Sequence, residues 1–349
     1  MKAFTNANPR DVAHAVTIMR QARQEHRSVA IAAGGSDLLG MMKDRLIAPD
    51  VLVSLKSIKG LDQVKATPGG GVTIGGLITL DALSTHALIR RQYPVLAEAA
   101  ESVATPQIRN VATLAGNICQ RPWCWYYRNG FPCLKNGGTT CYSISGENEF
   151  HAIFGGGPSY IVHPSDTAPA LVALNATFRI VGPAGERVVP AADFFTLPSD
   201  DAARENVLKD DEVLAAIVLP AAQTGARSTY HKVLDREAWT HAVVSAAVVL
   251  DMNKDVCRSA RIVLGGVAPI PWRLPEVEKM LAGQRVTPAL AAKAGEAAIA
   301  GARPLAKNGY KVPMVRGMVS RTLRDLADRG LRPSASSGRP EALEGRNAD

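Results

Sequence analysis

Four of the five cysteines in this 349-residue chain fall in one stretch, "GNICQRPWCWYYRNGFPCLKNGGTTCYSISGE". They are Cys119, Cys124, Cys133 and Cys141, spaced C-x4-C-x8-C-x7-C among aromatic residues, glycines and prolines. Four thiolates complete the coordination of a [4Fe-4S] cluster, and four also make a tetrahedral zinc site. The spacing is not that of a bacterial ferredoxin, so spacing alone leaves iron-sulphur and zinc open. Disulfides are the lesser alternative in a reducing compartment. The fifth, Cys257, lies in a strand-like segment and is expected to be a small buried hydrophobe. The seven histidines show no paired metal spacing, and His163, beside Pro164, is expected to pack rather than to catalyse.

A second chemistry is written in glycines. "AAGGSDLL" follows a strand directly, where bare backbone N–H groups gather around a phosphate. Gly34 and Gly35 let the main chain approach closely and Ser36 adds a hydroxyl donor. This is neither the Rossmann fingerprint nor a Walker loop, and alone it is equally a turn. "TPQIRNVATLAGNI" supplies a second loop of small residues, Thr113 to Asn117. "HPSDTAPALVAL" places Asp166 before an apolar run, where a helix cap is the plain alternative.

Composition narrows the class. The chain is 46% hydrophobic and 21% charged, which suits a water-soluble globular protein of two or three domains. No apolar run approaches the roughly 20 residues that span a bilayer. The net charge of +8 is scattered, without a basic run or an aromatic RNA-binding signature, so a solvated basic surface is expected rather than a nucleic-acid site. The start, "MKAFTNANPRDVAHAV", lacks an apolar signal core, which predicts the cytoplasm. A subunit exported folded beside a signal-bearing partner would look the same.

The elements that must hold these motifs alternate. A helix is expected over "NPRDVAHAVTIMRQARQ", with Asn8 as N-cap, Pro9 in the first turn and Asp11 in a capping box. "VAIAAGG" reads as a buried strand, "DVLVSLKSI" and "GVTIGGLITL" as further strands, and a helix runs from Thr79 through "DALSTHALIRR". "ATFRIV" turns at "GPAGE" into "RVVP", and "DEVLAAIVLP" is another strand. From about Ser228, three strands precede helices in "LPEVEKMLAG", "TPALAAKAGEAAIAG" and "MVRGMVSRTLRDLADRG". The predicted fold is α+β: residues 1–225 as one domain carrying the inserted loop at about 119–150, 226–330 as a smaller α+β domain, and 331–349 as a disordered tail.

Taken in order, these motifs resemble the FAD-binding subunit of the xanthine dehydrogenase family, the molybdenum hydroxylases, to about residue 328. "AAGGSDLLGMMK" is similar to the family's first flavin motif and "QIRNVATLAGNI" to its second, while "YHKVLDREAWTHAVVSAAV" and "VLGGVAPIPWR" resemble its C-terminal domain. The resemblance implies a two-subdomain FAD-binding domain of the vanillyl-alcohol-oxidase type. It implies that Ala33, Gly34, Gly35, Ser36, Asp37 and Leu38 wrap the FAD pyrophosphate, and that Thr113, Gly116 and Asn117 form the opposite wall. Asp166 would hydrogen-bond the ribityl or ring region, Lys232 would sit near the isoalloxazine, and Leu214 would pack on the ring. Three departures stand out: Ser36 replaces a frequent threonine, Ala115 a frequent glycine, and "REAWTHA" lacks an acidic residue common there, near Arg236.

Ordinary members pass almost directly from the second loop to the "SD" element, whereas roughly forty residues intervene here. That narrows the resemblance to the cluster-bearing variant, as in periplasmic aldehyde oxidoreductase and 4-hydroxybenzoyl-CoA reductase, and implies that the four cysteines bind [4Fe-4S]. Trp123, Trp125, Tyr126 and Tyr127 would then shield it, or simply pack the loop. The implied partners are a molybdopterin-cofactor large subunit and a [2Fe-2S] small subunit. Electrons would reach FAD from these and leave to an external acceptor during aldehyde or heterocycle oxidation, with no general base in this chain. The alternatives are a stand-alone flavoenzyme and a zinc-stabilised interaction subunit.

Overall fold

The computed structural model describes residues 1–236 and 241–328. The expected tail, and part of the C-terminal motif around residue 239, lie outside the described residues.

Three sheets carry the chain. The first is parallel, β1 (Thr5–Ala7), β2 (Val29–Ala32) and β3 (Val51–Ser54), with β3 in the middle. Against it packs the helix Val12–Gln24, whose Ala15, Val16, Met19 and Ala22 are buried at helical spacing beside Val51 and Val53. The second sheet is antiparallel: β4 (Val64–Ala66), β5 (Val72–Gly75), β6 (Thr177–Gly182), β7 (Gly185–Pro190) and β8 (Val213–Leu219), in the order β4-β5-β8-β6-β7. Its core is shared with the helices Pro94–Glu101 and Thr167–Ala173. The third is β9 (Ala226–Val233), β10 (Val244–Asn253), β11 (Val256–Gly265), β12 (Trp272–Arg273) and β13 (Gln284–Arg285). It packs on the helices Pro275–Leu281, Pro288–Ala298 and Lys311–Asp328 around a separate core. The α+β class is therefore as expected: a two-part domain followed by a smaller one. Among the described residues no helix is long and apolar enough to cross a membrane.

Local departures from the sequence reading have physical causes. The first helix is capped by Asp11, whose carboxylate accepts the His14 N–H at 2.7 Å, so Asn8 lies before the cap. The predicted helix from Thr79 is two, Leu80–Thr85 and Ala87–Gln92, because His86 is extended (ψ 118°). The β2 strand is half-buried along its length rather than buried, since helix packing covers one side of a small sheet only. The last helix begins earlier than predicted, at Lys311.

Candidate functional site: a cleft between glycine loops and an adjoining thiol cluster

The first glycine loop leaves the C-terminal end of β2 and enters the helix Leu38–Lys43. Gly35 has φ +80°, a left-handed conformation that glycine adopts without strain. Gly34 faces the second loop so closely that a Cβ would overlap the Val111 carbonyl. The second loop is itself fixed: Leu114 N–H donates to Ile78 O at 3.0 Å and Ala115 N–H to Gly76 O at 2.9 Å. Thr113 caps the helix Leu114–Ile118 by accepting the Gly116 N–H at 3.2 Å. Two main-chain segments thus meet edge to edge, and neighbouring cavities of about 200 and 110 Å³ share Ser36, Asp37, Gly116 and Gln120. Leu214, buried on β8, lines the larger of these. This is a cradle made of backbone, with a shape that side chains would fill.

Asn117 stands in the opposite wall. Its carboxamide oxygen accepts from Ser165 at 2.6 Å and Thr167 at 2.7 Å, which fixes the flip and turns its amide N–H2 outward as a donor. Asp166 does not cap the helix Thr167–Ala173; Ser165 does so by accepting the Ala168 N–H at 3.0 Å. The Asp166 carboxylate instead accepts from Lys232 Nζ and Tyr230 OH, both at 2.7 Å, and Lys232 also donates to Ser102 O at 3.0 Å. Both side chains of the ion pair are 4% exposed. Burial beside this carboxylate pushes the Tyr230 phenol well above its ordinary range, so it stays protonated and donates. Lys232 is therefore not an ordinary exposed strand lysine. The chain brings Asp166 and Lys232 together although 66 residues separate them.

Asp37 behaves differently from its neighbours in the first loop. Its carboxylate accepts from Arg128 at 2.7 Å and from the Arg121 N–H at 3.1 Å, so the side chain is tied to the cysteine segment. Arg128 continues the contact by donating to Pro122 O at 2.8 Å and lying 4.2 Å over the Trp123 ring.

In the cysteine segment, Cys133 and Cys141 run side by side, because Cys133 bridges Thr140 and Leu134 N–H donates to Thr140 O. Cys141 Sγ accepts from Tyr160 N–H at 3.5 Å, and Tyr160 O in turn receives Ala152 N–H. Cys124 Sγ lies 3.3 Å from His151 Nε2. Burial pushes the Cys124 thiol up to about 11, with Cys141 and Cys133 adding to the shift. Burial holds the His151 imidazole neutral, lowering it to about 4. Three thiols and one neutral imidazole therefore converge, although among the described residues no three such side chains stand close enough for a single metal ion.

Cys119 is set apart from these three. It ends the helix Leu114–Ile118, packs against the middle core, and lines the cavity at the glycine loops. Burial alone pushes its thiol up to about 12. Of the aromatics, Tyr126 and Tyr127 are buried while Trp123 and Trp125 are exposed. Tyr126 packs on Tyr142 and Phe131, close to His151. Cys257 is buried in the third core and His163 packs edge-on to Phe195 at 4.8 Å, both as packing residues.

Sequence reasoning missed His151 and two buried lysines. Lys135 is held by Glu205 at 2.8 Å, which also binds Arg121. Lys311 donates to Phe150 O, His151 O and Gly266 O, and burial lowers it to about 7. A larger cavity, about 630 Å³, opens beside Cys124 and His151. It shares Trp123, Pro164, Asp166 and His241 with the small cavity at the glycine loops, so the two sites are neighbours.

Fold and site together define a class, a two-domain α+β protein with a cleft between two glycine loops. Residues 2–222 match the family profile described as "FAD binding domain in molybdopterin dehydrogenase", and residues 229–326 match "CO dehydrogenase flavoprotein C-terminal domain". The chain is 33% identical to the aldehyde oxidoreductase FAD-binding subunit PaoB of Escherichia coli, across 93% of this chain and 98% of that one. It is 29% identical to the carbon monoxide dehydrogenase medium chain of Hydrogenophaga pseudoflava, across 90% and 94%. A solved structure of the carbon monoxide dehydrogenase from Hydrogenophaga pseudoflava superposes with TM-score 0.73 at 27% identity, covering 93% of this chain and 98% of that chain. The chain belongs to the family of FAD-binding medium subunits of the molybdenum hydroxylases, which are oxidoreductases.

Proposed function

We propose that this chain is the electron-transfer subunit of a molybdenum hydroxylase, holding FAD between its glycine loops and a [4Fe-4S] cluster in its cysteine segment. Bound FAD and cluster supply the redox chemistry, carrying electrons from a molybdopterin large subunit and a [2Fe-2S] small subunit to an external acceptor. The likeness to an aldehyde oxidoreductase subunit makes an aldehyde the favoured substrate class of the whole complex.

The observation that carries the reading is the approach of Gly34 to Val111, which brings the main chain of the two loops together with no room for a side chain at that point. Around it, Ala33, Gly35, Ser36 and Leu38 offer the first wall for the pyrophosphate, and Thr113, Gly116 and Asn117 the second. Leu214 gives an apolar surface. Asp166 borders the smaller cavity, and Lys232, already desolvated, is fixed against it. A preorganised cation of this kind stabilises negative charge on a reduced ring system without reorganising when that charge arrives.

For the cluster, the support is the donor set itself. Each iron of a four-iron cube takes its own ligand, so the ligating atoms stand farther apart than around one zinc, whose Zn–S bonds are about 2.3 Å. Cys124, Cys133 and Cys141 are neighbours in this segment, near enough for the latter two to act on the Cys124 thiol.

The test is the anaerobically purified chain. It should be yellow-brown, release FAD on boiling, contain iron and sulphide, and fail to oxidise aldehyde until the partner subunits are added. Cys133→Ser should lose iron and sulphide and keep its flavin. A colourless preparation that releases no flavin defeats the reading.

A further inference from the structure

We propose that the cavity of about 630 Å³ beside Trp125 and Ser245 is where electrons leave the chain, and that the acceptor it takes is a quinone. The proposal rests on the flavin reading above for its electrons and on the cavity alone for its shape.

The volume is that of a small-molecule site, for which about 300–1,000 Å³ is usual. Trp123, Trp125 and Phe150 line the cavity, and all three are exposed. Apolar side chains exposed singly are ordinary, whereas three rings gathered at one cavity mark a binding site. Trp123 is held in place, with the Arg128 guanidinium 4.2 Å from its ring centre and the His241 ring at 5.2 Å. A fixed aromatic wall favours a flat ring as ligand. Two polar atoms of lining side chains, His151 Nδ1 and Ser245 Oγ, are buried and make no hydrogen bond among the described residues. A ligand with oxygen atoms would satisfy them. The hydroxyl donates to a carbonyl or accepts from a quinol O–H, and the imidazole nitrogen does one or the other according to its tautomer.

Charge argues against a nicotinamide dinucleotide. Glu147, Glu149 and Asp235 line the cavity against one arginine, Arg236, and no lysine among the described residues. Lys307, outside the lining, is bonded to Glu147. A pyrophosphate would meet carboxylates where it needs donors, while a neutral quinone carries no charge for them to repel. The place suits the reaction, because through Trp123 and Asp166 the cavity adjoins the glycine-loop cleft. The chemistry balances. Oxidation of one aldehyde by water to the acid releases two electrons and two protons, and reduction of one quinone to the quinol consumes two of each. The electrons pass through the chain and the protons through solvent.

The experiment is equilibrium dialysis of the full chain, purified without oxygen, against ubiquinone-1, whose fully substituted ring resists addition of thiols. Flavin-loaded protein should bind the quinone saturably, and NAD⁺ at least about tenfold more weakly. Trp125→Ala, a change at an exposed position, should weaken quinone binding about tenfold. Ser245→Ala should weaken it about threefold or more. Flavin content should be unchanged in both variants. The proposal is overturned if flavin-loaded protein shows no saturable binding, if the two variants bind as the unaltered protein does, or if NAD⁺ binds as tightly. It is overturned equally if quinone binds only after the flavin has been stripped, since the cavity is then the flavin's own seat. A chain that held no flavin yet bound quinone with this dependence on Trp125 would instead defeat the flavin reading and leave the quinone site standing.

Discussion

The glycine-loop cleft is built from main chain held by main chain, and its elements lie within a fold common to the family. The cysteine segment is built from side chains: between Cys119 and His151 there is little regular structure beyond a four-residue helix and two short turns. One region reaches its shape by leaving atoms out, so that Gly34 can touch Val111. The other is stapled by charged and amide groups, with Arg128 and Asn148 bonding carbonyls within the segment and Lys135 and Lys311 joining it to distant parts of the chain. A backbone cradle tolerates no addition; a side-chain scaffold tolerates no removal.

The largest effect is expected where the cradle is filled. In Gly34→Ala the new methyl overlaps a carbonyl in a second fixed loop, and neither loop can retreat without breaking the bonds to Gly76 and Ile78. The cost is about 3 kcal/mol or more. The protein should come off the column with its flavin largely lost, measured by absorbance after boiling, and with iron retained; equal loss of both would erase the contrast between the regions. Next comes Lys232→Met, which strands a buried carboxylate. Removing one member of a buried pair costs about 3–5 kcal/mol, and Tyr230, still bonded to Asp166, holds this case near the lower bound. Denaturant unfolding should recover part of that loss in the Lys232→Met, Asp166→Asn double variant, because the second change removes the stranded charge.

That pair also marks how far the sequence could be read. The glycine loops were legible because a strand followed by glycines is a local pattern, and the β6–β7 hairpin because "GPAGE" sits between two alternating runs. The strands and helices of the C-terminal domain followed from their periodicity. What the residues hid was every contact set by tertiary packing. Lysine is ordinarily exposed, so nothing near Lys311 announces that carbonyls some 160 residues earlier will enclose it. His151 lies ten residues beyond Cys141 with no spacing to link them, and nothing in the first glycine loop announces that Arg128 will bond Asp37. The cysteines were visible as a group, but not that Cys119 also lines the cavity at the glycine loops.

Lys311 allows the scaffold to be tested by pH alone. Its amine is lowered from 10.5 to about 7 by burial. Between those values the unfolded chain carries the proton and the folded chain does not, so stability rises as pH rises from about 7 towards 10. The slope from this group approaches about 1 kcal/mol per pH unit. In Lys311→Met the difference in unfolding free energy between pH 7 and pH 9 should shrink by about 2 kcal/mol, the slope taken over two units. An unchanged slope would mean that the amine is charged in the fold.

The smallest expected effect bears most directly on whether the two regions are separate at all. Arg128 joins them, bonding Asp37 of the first glycine loop while lying over Trp123, which borders both cavities. Lysine at this position keeps the charge but cannot donate to Asp37, Pro122 and Arg121 at once from a planar fork. Arg128→Lys should cost about 1 kcal/mol. The informative readout is flavin affinity measured in protein with and without iron. If the regions are coupled through Arg128, iron loading tightens flavin binding in the unaltered protein and does so several-fold less in Arg128→Lys. If flavin affinity ignores iron in both, the cradle and the thiol cluster share a wall and nothing more.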